Sequence, residues 1–330
     1  MTDLTRRAAL GTVAAATLAP FVVTSSAQAA APLLGKQAAS FYRYKVGSFE
    51  VTAIADGITV TPRPDNYVVN ASKDDVSAAF AANHLPADKA THTYTPVVVN
   101  TGSKLVVIDT GLGPGAYVQS KGAIGQFQTN LQAAGIDPAH VDAVIISHFH
   151  GDHINGLISA DGKPLYPNAE VLVPAAEWKF FMDDGEMSKA AGTPGEANFR
   201  NSRRVFDALG RKVTQFEAGK EPVAGITAIA SPGHTPGHTS FVVASGSDKV
   251  LVQADITAGA AFLFVKNPDW QLLFDADKAL AVQTRRKIYD MAVAEKMPVQ
   301  AFHAAFPGLV GVEKDGNGYR WIPTMWNTSI

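Results

Sequence analysis

Short apolar runs bounded by turn residues set the rhythm of this chain, and amphipathic stretches of helical length separate them. Phe41–Val46 and Phe49–Ile54 flank Gly47-Ser48 and predict a hairpin. Pro96–Asn100 and Lys104–Ile108 are nearly continuous apolar runs about Thr101-Gly102-Ser103. Ser240–Ala244 and Lys249–Ala254 repeat that arrangement about the turn Ser245–Asp248. Runs of this kind suit strands covered on both faces. In each pair the second strand ends in aspartate, Asp109 in one and Asp255 in the other, so the echo predicts two similar halves facing across a shared core. Further strands are predicted at Val141–Ile146, Val171–Pro174 and Val299–His303. Helices are predicted at Lys73–Asn83, Ile124–Ala134, Ala175–Asp207 with a polar interruption at Asp183–Glu196, and Leu280–Val293. Residues 59–93 show no clear strand period, and their length marks them as a lid or pocket wall. The residues after His303 read as irregular. Strands alternating with helices place the chain in the α/β class.

Composition narrows the chemistry more than the fold. At 330 residues and 46% hydrophobic content the chain can bury a sizeable core. A formal charge of -2 without a basic run excludes nucleic acid as a partner. There is no cysteine, which excludes thiolate ligands, cysteine nucleophiles and iron–sulfur clusters. Any metal site must therefore use histidine and carboxylate. The start of the chain has its own pattern: Arg6-Arg7, an alanine-rich apolar run to about Val23, then Ala27-Gln28-Ala29. It reads as an export signal of the twin-arginine type over residues 1–29. Residues 30–330 are then expected as one domain, periplasmic or secreted, with no membrane anchor after cleavage.

Four candidate metal ligands lie within the six residues from His148 to His153, directly after the strand Val141–Ile146. In extended backbone His148 and His150 point one way while Phe149 points into the body. Gly151 permits a sharp turn, after which Asp152 and His153 open a helix. One ion cannot easily use groups that approach from two directions, but two ions can. Three distant residues complete the set: His234 in the turn Ser231–His238, Asp255 at the end of its strand, and His303 at the end of the last strand. Two-metal sites hold their ions about 3.5–4 Å apart. His148, His150 and His234 would hold one ion, Asp152, His153 and His303 the other, and Asp255 would bridge both. His238 lies close to His234 in sequence, but with the positions filled it reads as a structural or supporting group. His84, His92 and His140 sit among polar residues and read as surface histidines.

The run His148-Phe149-His150-Gly151-Asp152-His153, followed by His234, Asp255 and His303, resembles the signature of the metallo-β-lactamase superfamily. The likeness implies an αββα sandwich of two facing mixed sheets with outer helices, and the metals at one edge. It also implies that Asp109 supports the ligands from behind. Within the superfamily the chain most resembles the exported methyl parathion hydrolases, through Thr101–Val106, Gly233–His238, His303–Gly308 and Gly318–Pro323. It departs from them in Gly151, where they tend to have proline, and in Asn155, which stands at a glycine position.

Two divalent ions sharing a water would supply a hydroxide nucleophile and polarise the oxygen of the group attacked. Zinc is the expected metal, with manganese, cobalt and iron as alternatives. The reaction class is hydrolysis of an ester, lactone or phosphotriester. Acyl-homoserine lactonase and β-lactamase of the same fold are alternatives, and a mononuclear iron oxygenase acting on sulfur is one of a different class. Related lactonases place a tyrosine shortly after the bridging aspartate, where this chain has Ile256-Thr257-Ala258, which counts against efficient acyl-homoserine lactone cleavage. Trp178, Phe181, Phe199 and Phe262 are candidate walls of a pocket for a small, uncharged, partly apolar substrate. A homodimer through the tail that carries Trp321 and Trp326 stays open.

Overall fold

Alternation within the apolar runs builds the architecture. Val97 and Val99 point to one side of their strand and Val98 to the other, and Val106 and Ile108 are opposed to Val107 in the same way. The same split recurs in the second half, where Val250 and Val252 face inward and Leu251 outward. The inward residues of both halves form one core, which is the interior of a sandwich.

The computed structural model describes residues 33–35 and 37–330, so the export signal expected at 1–29 lies outside the described residues. The strands are β1 Phe41–Val46, β2 Phe49–Ile54, β3 Gly57–Pro62, β4 Lys89–Tyr94, β5 Val97–Asn100, β6 Leu105–Ile108, β7 Ala143–Ile145 and β8 Glu170–Pro174. They continue as β9 Thr214–Phe216, β10 Ile226–Ala230, β11 Thr239–Ser245, β12 Asp248–Ala254, β13 Val299–Ala301, β14 Leu309–Asp315 and β15 Gly318–Pro323. The α-helices are α1 Lys73–Ala82, α2 Gly113–Gln119, α3 Phe127–Ala133, α4 Gly151–Ile154, α5 Ala175–Phe181, α6 Asp184–Ala190, α7 Gly195–Ala208, α8 Ala261–Lys266 and α9 Lys278–Ala294.

One sheet has seven strands in the order β1-β2-β5-β6-β7-β8-β9 and the other six in the order β10 to β15. Both are mixed. The echoed hairpins are real topological equivalents: β5–β6 is antiparallel and continues to a parallel β7, and β11–β12 is antiparallel and continues to a parallel β13. Helices α3, α5 and α7 cover the outer face of the first sheet, contributing Phe127, Leu131, Phe181, Phe199, Val205 and Phe206. Helix α9 covers the second with Ile288, Tyr289 and Ala292. The layers are therefore helix, sheet, sheet, helix, as the sequence resemblance implied.

Two hairpins depart from expectation. Residues 59–93 contain β3 and β4, which pair only with each other among the described strands and flank α1. Their strand period was hidden because the ribbon is not a core strand: Ile58 and Val60 are 54% and 57% exposed, and β4 is mostly polar. The C-terminal residues are not irregular either. Strands β14 and β15 pair about Gly316, which takes φ 60°, and they close the second sheet with an edge rich in charge at Glu313, Lys314, Asp315 and Arg320.

Parallel pairing decides where the chemistry falls. Ile108 aligns with Ile145, and Ala254 with Ala301. Asp109, the histidine run, Asp255 and His303 therefore all emerge at the carboxyl ends of neighbouring parallel strands, the end at which open α/β sheets form their crevices.

Candidate metal centre

The chain leaves each strand end through a constrained turn. Asp109 and Ala254 hold left-handed backbone, φ 60° and 48°, at the last turns of their strands. Gly156 packs so tightly under the first of these that a Cβ there would lie 2.0 Å from the Thr110 carbonyl oxygen. His148 and His150 follow β7, and Asp152 and His153 lie on the single turn α4, as the sequence predicts. His234 sits in the β10–β11 loop, Asp255 directly after β12, and His303 just past β13.

These residues form two groups whose ligating atoms lie within 4.8 Å of one another: His148, His150 and His234, and Asp152, His153, Asp255 and His303. In the first, His150 Nδ1 is 3.1 Å from His148 Nε2 and 2.9 Å from His234 Nε2. In the second, His153 Nε2 stands 3.5 Å from Asp152 Oδ2 and 3.3 Å from Asp255 Oδ1, and His303 Nε2 is 3.5 Å from Asp152 Oδ2. Asp255 lies between the groups, with Oδ2 3.3 Å from His234 Nε2 and 3.1 Å from His303 Nε2.

Partners behind the rings orient them. His153 Nδ1 meets Asp109 Oδ2 at 2.8 Å, His234 Nδ1 meets Asp275 Oδ1 at 2.8 Å, and His303 Nδ1 meets the Thr93 carbonyl at 2.7 Å. Each partner is an acceptor, so each ring carries its proton on Nδ1 and turns the Nε2 lone pair inward. In the first group the inward His234 Nε2 faces His150 Nδ1, which also faces His148 Nε2, a convergence of three ring nitrogens that a cation among them would satisfy. His153 Nε2 and Asp255 Oδ1 are moreover buried with no hydrogen-bond partner. Buried polar atoms are rarely left unmet. The donor set therefore fits two divalent cations of the kind that accept nitrogen and oxygen ligands.

Without a cation, the carboxylates around His153 favour a second proton on its ring in the cation's place. Burial opposes charge on His153, yet Asp255, Asp152 and Asp109 together hold it well above the ordinary imidazole range. Burial and the neighbouring His153 hold His148 well below that range, and burial with His234 lowers His150 to about 3. Burial also opposes charge on Asp255, but His303 and His153 keep its carboxyl well below the usual range. Burial likewise opposes charge on Asp152 while His153 and His303 lower its carboxyl, so two carboxylates stay ionised in an imidazole-lined space that cations would neutralise.

The supporting residues read from sequence occupy distinct places. Asp109 also accepts from Ser147 N–H and Ser147 Oγ–H, both at 2.8 Å. His238 donates from Nδ1 to the Ser231 carbonyl at 3.0 Å and accepts the Asp255 N–H on Nε2 at 2.9 Å, so neither nitrogen is free for an ion. The proposed pocket aromatics require correction. Phe181 and Phe199 are each 3% exposed and pack with Phe149 and Phe206 beneath the first sheet, and Trp178 joins them. Phe262 stacks edge-on against Phe80 in the cluster under α1. Phe181 and Phe199 are core and Trp178 packs half-buried against them, because Phe149, the residue between the two histidines, points away from the histidine cluster and into theirs; Phe262 is half-buried in a separate cluster. Beside the ligands stand rings from the β3–β4 ribbon instead: Tyr94 and His92, with centroids 5.5 Å and 6.5 Å from His303. His92 is thus half-buried beside the centre and not a free surface residue, and its Nε2 is buried without a partner. Three buried acids were not anticipated: Asp275 behind His234, Glu177 beneath Phe149, and Asp56, which accepts from Leu112 N–H and Phe127 N–H and is raised by burial to about 7. The sequence signal for them is faint, since each is a single acid beside an apolar run.

The family model described as the metallo-beta-lactamase superfamily matches residues 93–293, which contain all seven residues except His303. The chain belongs to the metallo-beta-lactamase superfamily. The N-acyl homoserine lactonase AttM of Agrobacterium fabrum is 30% identical over 141 residues, 40% of this chain and 46% of that protein. An N-acyl homoserine lactonase from a Bacillus species is 25% identical over 209 residues, 61% of this chain and 73% of that protein. The matched region spans about half the length of the AttM relatives, at 46% and 49% of two of them. The fold is shared with AidC, a dizinc quorum-quenching lactonase solved with the product N-hexnoyl-L-homoserine, at a TM-score of 0.79, 23% identity, and coverage of 88% of this chain and 99% of that one. It is shared equally with the hydrolase AbOPH, at a TM-score of 0.77, 24% identity, and coverage of 88% and 100%. These relatives carry lactonase or general hydrolase names, and not that of the methyl parathion hydrolases to which the sequence likeness first pointed.

Proposed function

We propose that this chain is a binuclear metal-dependent hydrolase that opens the rings of small, uncharged, partly apolar lactones. The observation that carries the reading is Asp255: one buried carboxylate within 3.3 Å of an imidazole from each of two converging ligand groups. His148, His150 and His234 would hold one ion, Asp152, His153 and His303 the other, and Asp255 both. When bound, two such ions make a nucleophile of water near neutral pH and polarise the carbonyl under attack. The protein holds the Nδ1 protons of His153, His234 and His303 on fixed acceptors, so that the ligand lone pairs need no reorganisation. Ring opening suits a site without an evident general acid, because the leaving alkoxide stays tethered to the acyl group.

The lactonase names of several relatives support lactones over the phosphotriesters favoured by the sequence likeness. The tyrosine that related lactonases carry after the bridging aspartate is absent here, but Tyr94 presents a ring to the second group from another strand. The test is a hydrolysis panel on purified, metal-replete protein, covering N-acyl homoserine lactones, other γ- and δ-lactones, aryl esters, phosphotriesters and β-lactams, together with metal analysis. The expected result is two ions per chain and the highest kcat/KM on a lactone. A phosphotriester or β-lactam turned over tenfold better would overturn the lactone assignment, and one iron with oxygen consumption would overturn the hydrolase.

A further inference from the structure

Glu177 lies in the first turn of α5 and is completely buried. An isolated buried carboxylate is costly unless donors surround it. Here three do: Phe149 N–H reaches Oε1 at 3.0 Å, while Gly237 N–H at 2.8 Å and Thr235 Oγ1–H at 2.9 Å reach Oε2. Phe149 is the residue between His148 and His150, and Thr235 follows His234. The donors thus come from the two loops that carry all three imidazoles of the first group, one loop from each sheet. The fit is close on the other side as well. A Cβ on Gly237 would lie 2.1 Å from Glu177 N, so only glycine lets the start of α5 settle against this loop. Ser202 Oγ–H donates to the Phe149 carbonyl at 3.1 Å and fixes the opposite side of the same residue.

We propose that Glu177 is a positioning residue that sets the spacing between the His148–His150 turn and the His234 loop, and thereby the affinity of the first ion. It rests on the reading that the seven residues hold two ions. The second group has its own supports, Asp109 and the Thr93 carbonyl, neither of which touches Glu177. A residue that merely filled space would not need a carboxylate, and would not distinguish one ion from the other.

The experiment uses the full chain, stripped with a chelator and titrated with Co²⁺, following bound cobalt and its visible absorption. The parent should take two ions. In Glu177→Gln the side-chain amide must turn its NH₂ toward one of the three donors, so the first ion should bind about 10–100-fold more weakly while the second keeps its affinity. Thr235→Val removes one donor and should produce a smaller loss at the same ion. In the Glu177→Gln background it should add little, because the two act through one network. Should Glu177→Gln fail to fold, Thr235→Val decides. Parental affinity at both ions in the variants, or equal weakening of both ions, overturns the proposal, whatever happens to thermal stability. A parent that takes up no cobalt overturns the two-ion reading itself, and that failure is visible before any variant is made.

Discussion

Asp109→Asn separates the orientation of a ligand from its identity. Three donors converge on this carboxylate at 2.8 Å: Ser147 N–H on Oδ1, and Ser147 Oγ–H and His153 Nδ1–H on Oδ2. Asparagine keeps one acceptor oxygen. If its NH₂ faces His153, the ring must shift its proton to Nε2, where it would point into the second ion's place. If the NH₂ faces Ser147 instead, a buried backbone donor is orphaned. Backbone strain does not enter, since asparagine holds left-handed φ about as readily as aspartate. Loss of a hydrogen bond to a charged group costs the stripped protein about 1.5–3 kcal/mol. The second ion should weaken about 10–100-fold, which corresponds to about 1.4–2.8 kcal/mol. Urea unfolding of stripped protein measures the first quantity and cobalt titration the second. Two ions at parental affinity, with unfolding changed by less than about 0.5 kcal/mol, would refute the orientation argument.

Asp255→Ala should abolish hydrolysis and lower bound metal below two per chain, and full activity with both ions retained would defeat the bridging role. Phe199→Leu should destabilise by about 0.5–3 kcal/mol and leave KM unchanged, whereas a KM shift without loss of stability would return Phe199 to the pocket. Gly156→Ala forces a methyl to within 2.0 Å of the Thr110 carbonyl. It should therefore lower both the unfolding midpoint and metal content, as read by calorimetry and metal analysis, and an unchanged variant would show that the two loops are not as closely packed as described.

The seven ligand candidates were legible because metal chemistry restricts them to two residue types at strand ends, and strand ends are marked by apolar runs. The echo of β5–β6 in β11–β12 was legible for the same reason. Buried supports such as Asp275 and Glu177 were not, since what makes them matter is a partner 41 or 60 residues away in the chain. The pocket aromatics misled because periodicity cannot tell whether a ring on α5 or α7 faces the ions or the sheet; Phe149 settles that by occupying the side away from them. The β3–β4 ribbon escaped because it has little buried face to write into its sequence.

The centre draws its ligands from both sheets: His148, His150, Asp152 and His153 from one, His234, Asp255 and His303 from the other. Ions held there would act as rivets at one end of the sandwich. Binding energy of this kind is also folding energy, because the unfolded chain offers no such site. Starved of metal, the molecule would loosen first at the ligand-bearing loops of that end, while the shared core between the sheets keeps its packing. Its resistance to proteolysis would then report how much metal its surroundings supply.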